Sequence, residues 1–244
     1  MGNVIEIDLW RENSDFKAYL GFTRLSYVKL KSLKDQYLSV EELSIYHNTK
    51  GQKKKSSYLK SRYIAKKTLS KFTKEHDLTQ LEVKSGVFNQ PFLKYFSEEP
   101  PGLSIAHTEQ YAACLVFPIE HPMGLDIELI SSKNVEIASS QVTPHELSLS
   151  KASDQHKDIF HLKLWTIKEA LSKTLKTGLL CPFEIYEIYS IEEQEHFTIS
   201  TFTNFEQYKA LTFQVDDHLC SIVLPKKTAY KIPFKNLVLR KELK

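Results

Sequence analysis

The sequence predicts an α+β protein built as two lobes, residues 1–122 and 123–244. Three observations carry this. Each half runs from helical patterns into short alternating strands. The 244 residues suffice for two small cores. No low-complexity linker separates the halves, so the lobes are expected to meet near residues 119–124.

The elements follow in order. VIEIDLW (4–10) alternates as a strand does. Leu38 to Tyr46 reads as a short acidic helix with Ser39 as its cap. A longer helix is expected from about Ser56 to His76. LEVKSGVFNQPFL (81–93) reads as extended structure broken by a turn around Gly86 and Pro91. EEPPGL is a loop, and LSIAHTEQYAACLVFPI places two apolar runs around polar HTEQ, as a hairpin would. MGLDIELI is a strand. NVEIASSQVTPHELSLSKA reads as helix, break and helix, the second starting at Thr143 and Pro144. KDIFHLKLWTIKEALSKTLK is the strongest helical pattern, and EIYEIYSI, HFTISTF, YKALTFQV and LCSIVL follow as strands. AKKTLSK (65–71) set beside ALSKTLK (170–176) hints at an internal repeat.

Composition excludes several classes. Hydrophobic residues at 41% and charged residues at 26% are ordinary globular values. A net charge of +3 does not by itself argue for nucleic acid. The bases do cluster in KGQKKKSSYLKSRYIAKK (50–67), a stretch without an acid that reads as a solvated face or as a surface for phosphates or an acidic partner. Cys114, Cys181 and Cys220 are too few and too widely spaced for a disulfide framework or a zinc site. The start MGNVIEIDLW is no signal peptide, and Glu6 stands where a myristoylation signal requires Ser or Thr. No apolar run approaches the ~20 residues of a membrane span. The expected location is the cytoplasm.

Two stretches carry the candidate chemistry, GLDIEL (124–129) and, about 40 positions later, WTIKEALSK (165–173). In a strand, Leu125, Ile127 and Leu129 point to one face and Asp126 with Glu128 to the other. At ~100° per residue, Leu164, Ile167, Leu171 and Leu175 form the helix's apolar stripe, with Glu169 and Lys173 roughly opposite. One reading is bland: a polar strand face and a surface ion pair worth ~0.3–0.5 kcal/mol. The other brings Glu169 beside Asp126 and Glu128. Three carboxylates without a nearby cysteine make a hard oxygen site suited to Mg²⁺, which keeps places for water and phosphate.

GLDIEL followed by WTIKEALSK resembles the 4′-phosphopantetheinyl transferases of the larger, surfactin-type class. YLKSRYIAKK, SIAHT and QVTPHEL match weaker blocks of that family, and the likeness covers roughly residues 56–180. The resemblance implies two similar α/β lobes around a cleft holding coenzyme A. It implies transfer of phosphopantetheine from coenzyme A to a serine of an apo acyl carrier protein, an acidic partner, with release of 3′,5′-ADP. It also implies that Asp126, Glu128 and Glu169 bind Mg²⁺, that Glu169 takes the serine proton, and that Lys173 assists the leaving group. Arg62, Lys66, His107 and Lys168 would hold coenzyme A phosphates. Two departures stand out: Glu109 replaces the glycine after the family's Ser-His-Ser, and Gln90 replaces its Gly-Lys-Pro lysine.

Two other readings compete. Glu82-Val83-Lys84 is an E-x-K that a Mg²⁺-dependent nuclease could use, with the basic stripe on DNA. A non-catalytic module that binds carrier protein or coenzyme A is the other. His107 alone also reads as a core histidine. A monomer suffices for a chain with two lobes.

Overall fold

The computed structural model describes residues 3–12, 14–94, 100–151, 157–234 and 237. The chain divides into two compact units, Met1–Pro122 and Met123–Lys244.

The first unit opens with a hairpin, β1 (Asn3–Arg11) against β2 (Ser14–Thr23). Helices α1 (Tyr27–Leu33), α2 (Val40–Asn48) and α3 (Gln52–Thr73) follow. Four short strands complete it: β3 (Glu82–Ser85), β4 (Pro91–Lys94), β5 (Gly102–His107) and β6 (Ala112–Phe117). The strands pair antiparallel as β1–β2–β6–β5, with β3–β4 as a separate ladder. The sequence reading missed β2 and α1. At its C-terminal end β2 is buried on both faces, so alternation fades where the strand is most enclosed.

The second unit starts at β7 (Gly124–Leu129), continues through α4 (Ser132–Ser139), α5 (Pro144–Lys151) and α6 (Lys157–Thr174), and runs on into a meander. That meander is β8 (Ile188–Glu193), β9 (Thr198–Phe202), β10 (Tyr208–Val215) and β11 (His218–Pro225). The antiparallel order is β7–β11–β10–β9–β8. Phe160, Leu164, Ile167 and Leu171 of α6 are buried with Ile188, Phe202, Ala210 and Val223 of the sheet. Each such side chain contributes roughly 1.5–3 kcal/mol on leaving water.

The two units share one plan. In each, a strand leads into helices, and a later strand returns to pair with that leading strand (β2–β6, β7–β11). In each, a glycine on the leading strand lies against the long helix. A Cβ at Gly21 would collide with Thr68 and Ile64, and one at Gly124 with the carbonyl of Ala170 and with Thr174. The repeat is therefore real, but its register differs from the one the sequence suggested. KKTLSK (66–71) corresponds to KEALSK (168–173).

What fixes that register is a buried carboxylate. Glu42 is the third residue of α2 and closes a capping box with Ser39: Glu42 N donates to Ser39 Oγ at 3.2 Å, and Ser39 N to Glu42 Oε2 at 2.9 Å. Its Oε1 accepts from Val83 N of β3 at 3.1 Å, and its Oε2 pairs with Lys66 of α3. Glu146 repeats these four contacts. Thr143 N donates to its Oε2 at 2.9 Å, Glu146 N donates to Thr143 Oγ1 at 3.2 Å, Ile188 N of β8 reaches Oε1 at 3.0 Å, and Lys168 Nζ reaches Oε2 at 2.8 Å. All four charged side chains are at most 1% exposed.

This overturns two expectations. Lys66 and Lys168, assigned to coenzyme A phosphates, are sealed under their helices. Lys66 Nζ also donates to Leu78 O at 3.1 Å and Lys168 Nζ to Gln141 O at 3.0 Å. Neither ammonium can reach a solvent-borne phosphate without abandoning a buried carboxylate. Removing one partner of such a pair leaves an uncompensated charge, so Glu42→Gln and Glu146→Gln should each lower unfolding free energy by about 3–5 kcal/mol in denaturant titrations. Losses below about 1 kcal/mol would show that the pairs do not organise the units.

Candidate active site

The close approach at Gly124 sets the site. Because α6 lies against the backbone of β7, Lys173 of α6 reaches across to β7 and donates to Asp126 Oδ1 at 2.7 Å. Asp126 does not face solvent, as the strand period alone suggested. It is 5% exposed, on the face of the sheet that carries α6, and Leu125 and Ile127 are buried on the other face. Glu169 and Lys173 likewise flank the apolar stripe rather than oppose it. Glu169 is half-buried, and the Lys173 side chain is 29% exposed. The surface ion pair reading fails here, since Lys173 bonds to Asp126 on another element.

Glu128, two residues along β7, is held from two sides. Trp165 Nε1 of α6 donates to its Oε1 at 3.3 Å, and Asn134 Nδ2 of α4 donates to its Oε2 at 3.2 Å. Trp165 is itself stacked on Phe183 at 4.7 Å. The tryptophan of the WTIKEALSK stretch thus aims a carboxylate, a role that sequence reasoning did not assign.

The electrostatics are crowded. Burial, then the Asp126 charge, push Glu128 up to about 7, against the Trp165 hydrogen bond. Burial, then Asp126, raise Glu169 to about 7 as well, with Lys173 opposing. Burial disfavours charge on Lys173, but the charge and hydrogen bond of Asp126 together with the charges of Glu169 and Glu128 outweigh it, and the ammonium is held above its usual range. Asp126 Oδ2 is buried and makes no hydrogen bond among the described residues.

These features fit a divalent cation. The donors are all carboxylate oxygens, their mutual repulsion raises proton affinity, and one buried oxygen lacks a partner. The carboxylates are not an assembled cage: among the described residues, no three His, Cys, Asp or Glu side chains converge closely enough to hold an ion. Lys173 is bonded to Asp126, and Trp165 and Asn134 to Glu128.

The other expected residues lie in the first unit. His107 ends β5 and is exposed, so it is no core histidine. Arg62 is 13% exposed, with Nε 3.5 Å from Glu42 Oε1 and its guanidinium 4.8 Å above the Tyr58 ring. Glu109 pairs with Lys53, and its carbonyl accepts from Lys60, so this departure ties the basic start of α3 to the β5–β6 turn. Gln90 folds into the β3–β4 turn, where its Oε1 accepts from Phe88 N at 2.9 Å. The basic stripe is not one face, since Lys60 and Lys66 are buried while Lys53 and Lys54 are exposed.

A stability profile follows from the two raised glutamates. Each has a folded-state proton affinity above its ordinary value of 4.5. Between about pH 4.5 and 7 the folded protein therefore binds more protons than the unfolded chain, and stability falls as pH rises through that window and levels off above it. Asp126→Asn removes a cause of both shifts and should flatten the fall in Tm measured by calorimetry across that window. A profile unchanged by Asp126→Asn would contradict this electrostatic account.

Comparison with known proteins bears on the same segment. Residues 122–223 match the family model described as the 4′-phosphopantetheinyl transferase superfamily. The 4′-phosphopantetheinyl transferase gsp of Aneurinibacillus migulanus is 28% identical over 116 residues, 43% of this chain and 48% of that protein. The 4′-phosphopantetheinyl transferase of Bacillus subtilis is 28% identical over 116 residues, 47% of this chain and 50% of its own length. The chain thus spans about half the length of the relatives it matches. Among solved structures, a holo-(acyl-carrier-protein) synthase from Bacillus anthracis in complex with CoA (3′,5′-ADP) aligns with TM-score 0.35 and 19% identity, covering 47% of this chain and 96% of that one. Holo-ACP-synthase from Plasmodium yoelii aligns with TM-score 0.34 and 15% identity, covering 48% and 96%. Over residues 122–223, the segment that carries both GLDIEL and WTIKEALSK, the chain is similar to the 4′-phosphopantetheinyl transferase superfamily.

Proposed function

We propose that the protein transfers 4′-phosphopantetheine from coenzyme A to a serine of an apo acyl carrier protein, releasing 3′,5′-ADP. The observation that carries the reading is the Lys173–Asp126 contact of 2.7 Å, which puts both motifs of the family segment in one place.

Asp126, Glu128 and Glu169 would hold Mg²⁺, which when bound neutralises pyrophosphate charge. Glu169, with proton affinity near neutrality, takes the proton of the carrier serine. The serine oxygen then bonds to the phosphorus carrying pantetheine, and the bond from that phosphorus to the bridging oxygen breaks. Lys173 donates to the departing 3′,5′-ADP phosphate. Such a transfer depends on positioning and charge more than on covalent help. His107, exposed at the end of β5, and Arg62 are the remaining candidates for coenzyme A phosphates. The free cysteines are consistent with a reducing compartment such as the cytoplasm. Among the described residues no helix is long and apolar enough to cross a membrane. A separate hydrophobic core in each unit supports action as a monomer.

The nuclease reading draws little support. Glu82 lies 3.4 Å from Lys84 and 3.6 Å from Lys94, and Lys84 also pairs with Glu41 at 2.8 Å, which describes a surface charge network. Asp77 caps a 3-10 turn through Thr79 N at 3.0 Å. A non-catalytic module would not require Lys173 beside Asp126.

Incubation of the protein with coenzyme A, Mg²⁺ and several apo carrier proteins, read by intact mass, tests the activity. The expected result is one phosphopantetheine added to at least one carrier, and unmodified carriers throughout would refute it. Asp126→Ala should abolish transfer, and Glu169→Gln should cut kcat by at least about a hundredfold with little change in Tm. Rates near wild type in both would place the chemistry elsewhere. His107→Ala should mainly raise KM for coenzyme A, and a pure kcat defect would contradict that role.

A further inference from the structure

A row of polar side chains runs across the second unit's sheet from Asp126. Asp126 of β7 pairs with Ser221 of β11, Ser221 with Thr212 of β10, Thr212 with Thr198 of β9, and Thr198 with Glu193 of β8. Direct partners in an antiparallel ladder share a face, so the row lies on the α6 side. Ser221 and Thr212 satisfy one another at 2.8 Å. Thr198 is 3% exposed, and its hydroxyl makes no hydrogen bond among the described residues.

The row ends in a cavity of about 240 Å³ within this unit. Thr198 lines it, with Lys163 and Ile159 of α6, Phe197, and Leu219 of β11, and the exposed carboxylates of Glu193 and Glu195 stand at its edge. Lys163 is 3% exposed, and its Nζ bonds at 3.0 Å to Glu193, whose side chain is 52% exposed. The pair is lopsided: the ammonium has left water while its partner carboxylate has not. Burial holds the Lys163 proton affinity below its ordinary value, against the attraction of Glu193. A buried cation is costly, and an apolar residue would serve the core better. Nor does the shared plan of the units require it, since the register set by Lys66 and Lys168 puts Ser61 at the equivalent position. A buried ammonium and an unsatisfied hydroxyl thus border one cavity with an apolar wall.

We infer that this cavity binds a small organic monocarboxylate, its two oxygens accepting from Lys163 and Thr198 and its short apolar body lying against Ile159, Phe197 and Leu219. Glu193 and Glu195 repel any anion and a dianion most, so a single negative charge on Lys163 is the most the cavity can hold. The cavity volume limits the body to a few carbons. The inference is independent of the transfer proposed above, since none of these side chains belongs to the Asp126 site.

Butyrate, with butyramide as its neutral twin, is the probe, and amide chemical-shift mapping of the full ¹⁵N-labelled chain is the measurement. Butyrate should produce saturable shifts confined to residues around Ile159, Lys163, Thr198 and Leu219, and butyramide should not. Lys163→Met should remove the shifts, and Thr198→Val should weaken binding several-fold. Glu193→Gln, on the half-exposed partner, keeps the fold and frees Lys163 from its competitor, so it should tighten butyrate binding by up to about fivefold. Absence of saturable shifts, equal binding of butyramide, or weaker binding in Glu193→Gln would each overturn the proposal.

Discussion

Everything else in each unit hangs on one carboxylate that three elements share. Glu42 and Glu146 each cap a short helix, accept a strand amide and neutralise a lysine of the long helix. Within the low dielectric of a core, such a group must be fully satisfied or it destabilises the fold. Full satisfaction fixes the axial register of α3 against β3 and of α6 against β8. In the second unit that register has a chemical consequence: with Lys168 anchored to Glu146, Glu169 and Lys173 fall on the flank of α6 that meets β7. Gly124 then removes the Cβ that would keep helix and strand apart.

The repeated scaffold makes the difference between the units informative. Where the second unit has Glu169, the first has Lys67, and where the second has Asp126, two residues after its close-approach glycine, the first has Thr23 after Gly21. The architecture is held in common, and at these equivalent positions only the second unit has carboxylates. Within that unit, burial and Asp126 raise both glutamates toward neutrality, so an arrangement unfavourable to folding is well matched to holding a cation or a proton at working pH.

Much of this was legible in the sequence. The α+β class followed from the order of periodic patterns, and GLDIEL with WTIKEALSK picked out the segment that the family match covers. What stayed hidden was burial. A strand period says that Asp126 and Gly124 share a face but not that α6 covers that face. A helical wheel placed Glu169 and Lys173 opposite the leucines, because it cannot show that β7 and the Trp165 side chain occupy the flank. Lys66 and Lys168 were read as phosphate ligands because a lysine beside a reactive glutamate looks available. Their true partners lie far away in sequence. The signal was nevertheless present: Ser39-x-x-Glu42 and Thr143-x-x-Glu146 are capping boxes, each followed by a lysine in the next long helix. Read together, they also give the repeat its correct register.

The central proposal is that Asp126, Glu128 and Glu169, whose charges are coupled, would together hold a divalent cation. Its most direct test is a carbon NMR titration of the side-chain carboxyls in protein labelled at glutamate Cδ, with Glu128→Gln and Glu169→Gln for assignment. The account predicts that both glutamates titrate at about 7 in the metal-free protein and that Mg²⁺ drives both to lower pH. Titration of both at the ordinary value of 4.5, with no response to Mg²⁺, would contradict it.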